Sequence, residues 1–343
     1  MNKKLVACAV LAAMVMPIAY QPPAEAMTKQ QYYELQRAKE IRDLQEIKNR
    51  QNQKNQIQQY YNYGIQAYNN KDFSSAINYL GKVSGYYGNT KNFNIAVGNS
   101  FYGLQNFGKS IPYLQKALGY GASDLDTVSN IGYAYMNLSN FTTAYKYLVA
   151  ATNRYPNNAD LQFNLAKDCE QLKNDTCQLN AYLKVIAINP QYSVDPYKYA
   201  GNIYFNAKNY DKGFNLYTQG LQYYPRDAEL NFYAGDTLFT TENYEKALPY
   251  LKTAVNIQGD YLHAYYDMGI SYLKLDDLDD AGQVCSIMQK INSEDDLTKS
   301  ECSQVQQVVM QKQMEQQMQQ DMIQQQIDQS MQDAQMAASM SGM

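Results

Sequence analysis

At 343 residues the chain exceeds one ordinary compact domain, and its net charge of −4, with no clustered Lys/Arg, excludes a nucleic-acid groove. The only histidine is His263, which rules out multi-histidine metal chemistry, and no glycine loop is arranged to cradle phosphate. No catalysis, metal site or cofactor is therefore expected.

Residues 1–26 read as a secretory signal. Lys3 and Lys4 precede an apolar run over 5–16, and Ala24-Glu25-Ala26 is an A-x-A cleavage site before Met27. Cys8 stands too early, with most of the apolar run after it, to be a lipoprotein cysteine. Losing Lys3, Lys4 and Glu25 takes the net charge to about −5. No later stretch approaches the ~20 apolar residues of a bilayer span, so the mature chain is expected to carry none.

Residues 27–56 are rich in Gln, Lys, Arg and Asn. Leu35, Ala38, Ile41, Leu44 and Ile47 recur every third residue, a spacing that drifts around a helix and predicts a solvated helical lead rather than a coiled coil. From 57 to 295 a period takes over. Gly64, Gly98, Gly132, Ala166, Gly201, Gly235 and Gly269 lie 34, 34, 34, 35, 34 and 34 residues apart. Nine residues after each stand Phe73, Phe107, Phe141, Asp175, Tyr210, Tyr244 and Leu278; twelve after stand Ala76, Ser110, Ala144, Gln178, Gly213, Ala247 and Ala281. Each period carries two amphipathic segments around a tight polar turn, with small residues expected where the two helices approach. Pro156, Pro190 and Pro225 close three repeats. Pro112 and Pro249 fall early in second helices, near starts where donors lack intrahelical partners. Repeat four is the poorest match, with Asp175 and Gln178 at its marker positions. Asp276, Asp277, Asp279 and Asp280 form a solvated turn without the glycine and closing glutamate of a calcium loop.

This period and these residues resemble the tetratricopeptide repeat family, at about seven repeats. The family's usual Trp is replaced by Tyr60, Asn94, Val128, Gln162, Tyr197, Asn231 and Tyr265. The resemblance implies an all-α solenoid, a right-handed superhelix whose first helices line a concave groove for extended peptides. On that phase the groove residues are Tyr61, Asn62, Tyr68, Asn99, Tyr102, Asn130, Tyr133 and Phe163, then Asn164, Lys198, Asn202, Phe205, Phe232, Phe239, His263 and Tyr266. Asn can donate to and accept from a peptide backbone, and Tyr and Phe offer side-chain pockets, although some of these rings will instead pack between repeats. Lys198 and Asn202 resemble half of the Lys/Asn clamp with which some members hold a C-terminal carboxylate. Tyr233, His263 and Asp267 follow where Asn and further cations belong, so an acidic tail is not the expected ligand.

Beyond the repeats, Leu297, Val305, Val308 and Val309 predict a capping helix over 296–310, starting near Ser293. Residues 311–343 are Gln- and Met-rich; the composition fits an extension of that helix, a disordered tail or an adhesive segment. The mature chain carries four cysteines, Cys169, Cys177, Cys285 and Cys302. In an oxidising compartment an even count invites pairing, and placement favours Cys169–Cys177 across the turn of repeat four and Cys285–Cys302 between repeat seven and its cap. The alternative is four buried thiols acting as small apolar residues. The expected function is a non-enzymatic scaffold or adaptor of the cell envelope, periplasmic or secreted, whose partner is a protein or peptide segment. A chaperone or assembly factor for a secreted or surface structure is the second reading.

Overall fold

The structure, a computed structural model, describes residues 28–292 and 296–340, and these are all-α. The expected export signal at 1–26 and Ser293 lie outside the described residues. The chain divides into two compact units after Asn140.

Unit 1 begins with α1 (Lys29–Asn69), a single helix in which the polar lead runs without a break into repeat one. Thr28 accepts from the Gln31 amide while the Gln31 side chain accepts from the Thr28 amide, so both ends of this capping box are made. There follow α2 (Phe73–Gly81), the short α3 (Ser84–Tyr87), α4 (Lys91–Gly103), α5 (Phe107–Gly119) and α6 (Leu125–Asn137). The second helix of repeat one stops at Gly81, short of the others, and buried Val83 anchors the loop. Unit 2 contains α7 (Phe141–Arg154), α8 (Ala159–Gln171), α9 (Asp175–Ile188), α10 (Asp195–Asn206) and α11 (Tyr210–Tyr223). It continues with α12 (Ala228–Thr240), α13 (Tyr244–Ile257), α14 (Leu262–Lys274), α15 (Leu278–Ile291) and α16 (Asp296–Met340). Pro112 and Pro249 stand sixth in α5 and α13, a turn deeper than the donor-free start.

The turns repeat as faithfully as the helices. Lys71, Gln105, Ser139, Lys173, Lys208, Glu242 and Asp276 all have φ between 54° and 62°. In the first, Lys71 N–H donates to Tyr68 O and Asp72 N–H to Ala67 O, the pairing that closes a helix through one left-handed residue. Asp72 then caps α2 by accepting from Ser75 N–H, and Asn106, Asn174 and Asp277 do the same for α5, α9 and α15.

Four of the packed pairs are keyed by their periodic glycine. A Cβ on Gly64, Gly98 or Gly235 would stand 2.5–2.7 Å from Leu80, Leu114 or Leu251, each fully buried. On Gly201 it would stand 2.2 Å from the Tyr217 ring. In these four pairs the glycine receives the residue sixteen places later. The small residue twelve places later sits over the glycine's carbonyl instead: Ser110 Oγ donates to Gly98 O at 2.8 Å. Four of the residues that replace the family's Trp share a task. Asn94, Gln162 and Asn231 donate side-chain N–H groups to Gly88 O, Pro156 O and Pro225 O, and Tyr197 Oη donates to Pro190 O. Each ties a first helix to the loop that closes the preceding repeat.

The start of α16 covers repeat seven. Cys302, Val305 and Val309 are buried with Met268, Cys285 and Met288, whereas Val308 points outward. Beyond them α16 continues as one helix through the Gln/Met-rich segment to Met340. Cys169 is bonded to Cys177, with Cα atoms 5.8 Å apart, and Cys285 to Cys302, at 5.4 Å. Peptide mapping without reductant is expected to recover these two pairs; four free thiols or crossed pairs would contradict the arrangement. Closing loops this short should contribute about 2–3 kcal/mol each.

Candidate functional site

In unit 1 the first helices of repeats one and two, the C-terminal half of α1 and α4, enclose an open cleft of about 530 Å³. It is lined by Tyr61, Asn62, Ile65, Gln66, Tyr68, Asn69, Asn92, Ile95 and Ala96, none of them charged. The Tyr61 ring stacks on Tyr87 with centroids 4.1 Å apart, which fixes it as a wall rather than a mobile side chain. Asn62 is exposed at the rim and accepts only from Gln58 of its own helix. At the deep end Tyr68 Oη accepts from Asn99 Nδ2 at 3.2 Å, and Asn99 Oδ1 accepts from Asn130 Nδ2 at 3.1 Å. Three successive first helices are thereby linked by side chains. Burial raises the Tyr68 hydroxyl pKa, so it stays a neutral donor and acceptor at physiological pH.

The expected groove residues divide into those the cleft uses and those the fold uses. Tyr61, Asn62 and Tyr68 face the cleft. Asn99 is buried and its amide is committed to Tyr68 and Asn130. Tyr102 is half-buried edge-on to Phe107, and Tyr133 is half-buried with its carbonyl accepting from Asn137.

In unit 2 Phe163 packs against Tyr182 and Tyr192, and Asn164 donates to Asp160 O in its own helix. Lys198 pairs with Asp227, at 3.0 Å, and with Glu229, so its charge is neutralised within the fold. Asn202 accepts from buried Tyr217 Oη at 2.6 Å. Phe205 and Phe239 lie edge-on to Tyr210 and Tyr244. Phe232 meets Tyr261 and exposed His263. Tyr266 lines a small apolar cavity with Gly269, Val284, Met288 and the Cys285–Cys302 pair. The pairing of Lys198 removes the one cation of the half-clamp.

Sequence reasoning passed over Ile65, Asn92 and Ile95. Both isoleucines occupy first-helix positions where an apolar residue reads as core, and only the facing of α1 and α4 shows them lining an open cleft. Among the described residues no His, Cys, Asp and Glu side chains gather in a group able to hold a metal, and no helix is long and apolar enough to cross a membrane.

The described residues thus form an all-α array of helix pairs, several keyed by periodic glycines, with an uncharged cleft on the first-helix face of unit 1. The chain contains tetratricopeptide repeats: models of that repeat match residues 126–158 and 200–261. Among solved structures it resembles the C-terminal part of a TPR repeat-containing protein from Cytophaga hutchinsonii, with a TM-score of 0.56 and 13% identity over 70% of this chain and 98% of that one. It is also similar to YrrB, described as a TPR protein with an unusual peptide-binding site, with a TM-score of 0.47 and 20% identity over 54% of this chain and 95% of that one. For MamA the TM-score is 0.45 and the identity 19%, over 50% and 93% of the two chains. At these identities the likeness concerns the fold. A search of curated protein sequences found no match.

Proposed function

We propose that the protein is a non-enzymatic scaffold of the cell envelope that holds an extended protein segment in the cleft between α1 and α4. The observation that carries this reading is the cleft itself: a volume of about 530 Å³ walled by Tyr61, Tyr68, Ile65 and Ile95, with the amides of Asn62 and Asn92 at its rim. Apolar walls with a few fixed amides suit a peptide whose backbone is hydrogen-bonded and whose apolar side chains enter the cleft. The lining carries no charge, which fits a neutral segment rather than an acidic tail and implies weak salt dependence. Export is supported by the Lys–apolar–A-x-A order of residues 1–26 and by the two cysteine pairs, which persist where thiols are oxidised.

Affinity capture from envelope extract tests the reading. The variant Asn62→Ala/Asn92→Ala/Ile95→Ala changes exposed or half-buried side chains and should keep its melting transition. Three lost contacts at about 1 kcal/mol each should weaken capture roughly a hundredfold. Undiminished capture by this variant would overturn the cleft as the binding site. Stable stoichiometric partners would mark a scaffold, and transient unfolded clients a chaperone.

A further inference from the structure

Two stretches of helix stand free of the repeats, one at each end of the described chain. In α1 residues 29–56 are exposed apart from half-buried Leu35 and Ala38, and in α16 residues 313–337 are exposed throughout. Each is about 40 Å long at 1.5 Å per residue. Most helical stability in proteins comes from tertiary packing of an apolar face rather than from propensity. Both expose large apolar side chains: Tyr33, Leu44 and Ile47 on the lead are 72%, 65% and 62% exposed, and Met314, Met318 and Ile323 on the tail are 61%, 58% and 58% exposed.

Their charges are opposite. Residues 28–56 hold seven Lys/Arg against four Asp/Glu. Residues 313–340 hold Glu315, Asp321, Asp328 and Asp333 and no basic residue. Lys312, just before them, is drawn back to Asp276. Within the tail Glu315, Asp321 and Asp328 accept from the neutral amides of Gln311, Gln317 and Gln324, which leaves their charge uncompensated. Lead against lead, or tail against tail, would set like charges together while covering the same apolar side chains. Lead against tail covers them with charges matched.

We propose that the free half of α16 docks on the lead half of α1 of a second copy of this chain, so that the protein associates head to tail. This surface is separate from the cleft and does not depend on it. A contact between two different patches on successive copies propagates unless a symmetric pair or ring closes it.

The test is the association state of the purified chain, by sedimentation and light scattering over a concentration series. The wild-type chain should associate, and removal of 313–343 should leave a monomer with an unchanged melting transition. Reversing the lead (Arg37→Glu, Lys39→Glu, Arg42→Glu, Lys48→Glu) should weaken association at least about tenfold, as several surface pairs are lost and repulsion replaces them. Adding the tail reversal (Glu315→Lys, Asp321→Lys, Asp328→Lys, Asp333→Lys) to the same chain should restore association. A monomer at every concentration would overturn the proposal, including one in which lead and tail meet within one chain. So would association that ignores the lead reversal, which would mean that tails pair with tails, and so would a double reversal that fails to restore it.

Discussion

Truncation of Tyr217 to alanine should cost about 3–5 kcal/mol of folding stability, the range for emptying a buried aromatic site. Tyr217 is fully buried, its ring fills the space that Gly201 leaves open, and its hydroxyl donates to Asn202 at 2.6 Å. Two companion variants separate these roles. Gly201→Ala drives a methyl group into the ring and should cost about 1–3 kcal/mol, since a held buried ring has nowhere to move. Tyr217→Phe keeps the packing and removes only the hydrogen bond to half-buried Asn202, so about 1 kcal/mol is expected. Denaturant titrations of the three give the ordering. A Gly201→Ala protein as stable as wild type would mean that the glycine is not the key to the helix pair.

Replacing Asp168 by asparagine should stabilise the protein above neutral pH by about 2–4 kcal/mol. Asp168 lies on α8 with no exposed surface, and neither carboxylate oxygen has a hydrogen-bond partner. Burial raises its pKa from 3.8 to about 7. Below about pH 4 both the folded and the unfolded chain hold the proton, and the group adds no pH dependence. Between 4 and 7 the unfolded chain ionises while the folded chain stays protonated, so stability falls as pH rises; above 7 the loss is constant. Asparagine imitates the neutral acid and removes this slope. Urea titrations at pH 5 and pH 8 should therefore show the variant gaining on wild type at the higher pH, and a variant less stable than wild type at pH 8 would contradict the account.

The periodic glycines announced the helix pairs in the sequence, because a contact that recurs every 34 residues leaves a mark at every recurrence. Their partner was less visible. Small residues twelve places on invited a mutual approach, yet Leu114 and Tyr217, sixteen places on, fill the space, because side chains lean along their helix. The tight polar turns were legible, but their left-handed residue was not, since Lys71, Gln105 and Ser139 adopt a backbone usually left to glycine and are held there by the surrounding hydrogen bonds. At the position of the missing Trp, Asn94, Gln162 and Asn231 make a hydrogen bond that the substitution alone did not announce. For the site, Asn and Tyr at first-helix positions pointed to the face that carries the α1–α4 cleft. The fate of several depended on residues roughly one repeat away: Asp227 and Glu229 claim Lys198, and Tyr68 and Asn130 claim Asn99. Pairings at that distance follow from how helices face each other, which residue types alone do not specify.

The most direct test of the central claim is site-specific crosslinking of the bound partner. A photoreactive side chain at Asn62, exposed at the rim of the cleft, should crosslink the captured protein, and the same group at Asn78, exposed on α2, should not. Equal crosslinking at both positions, or crosslinking at Asn78 alone, would contradict binding in the cleft between α1 and α4.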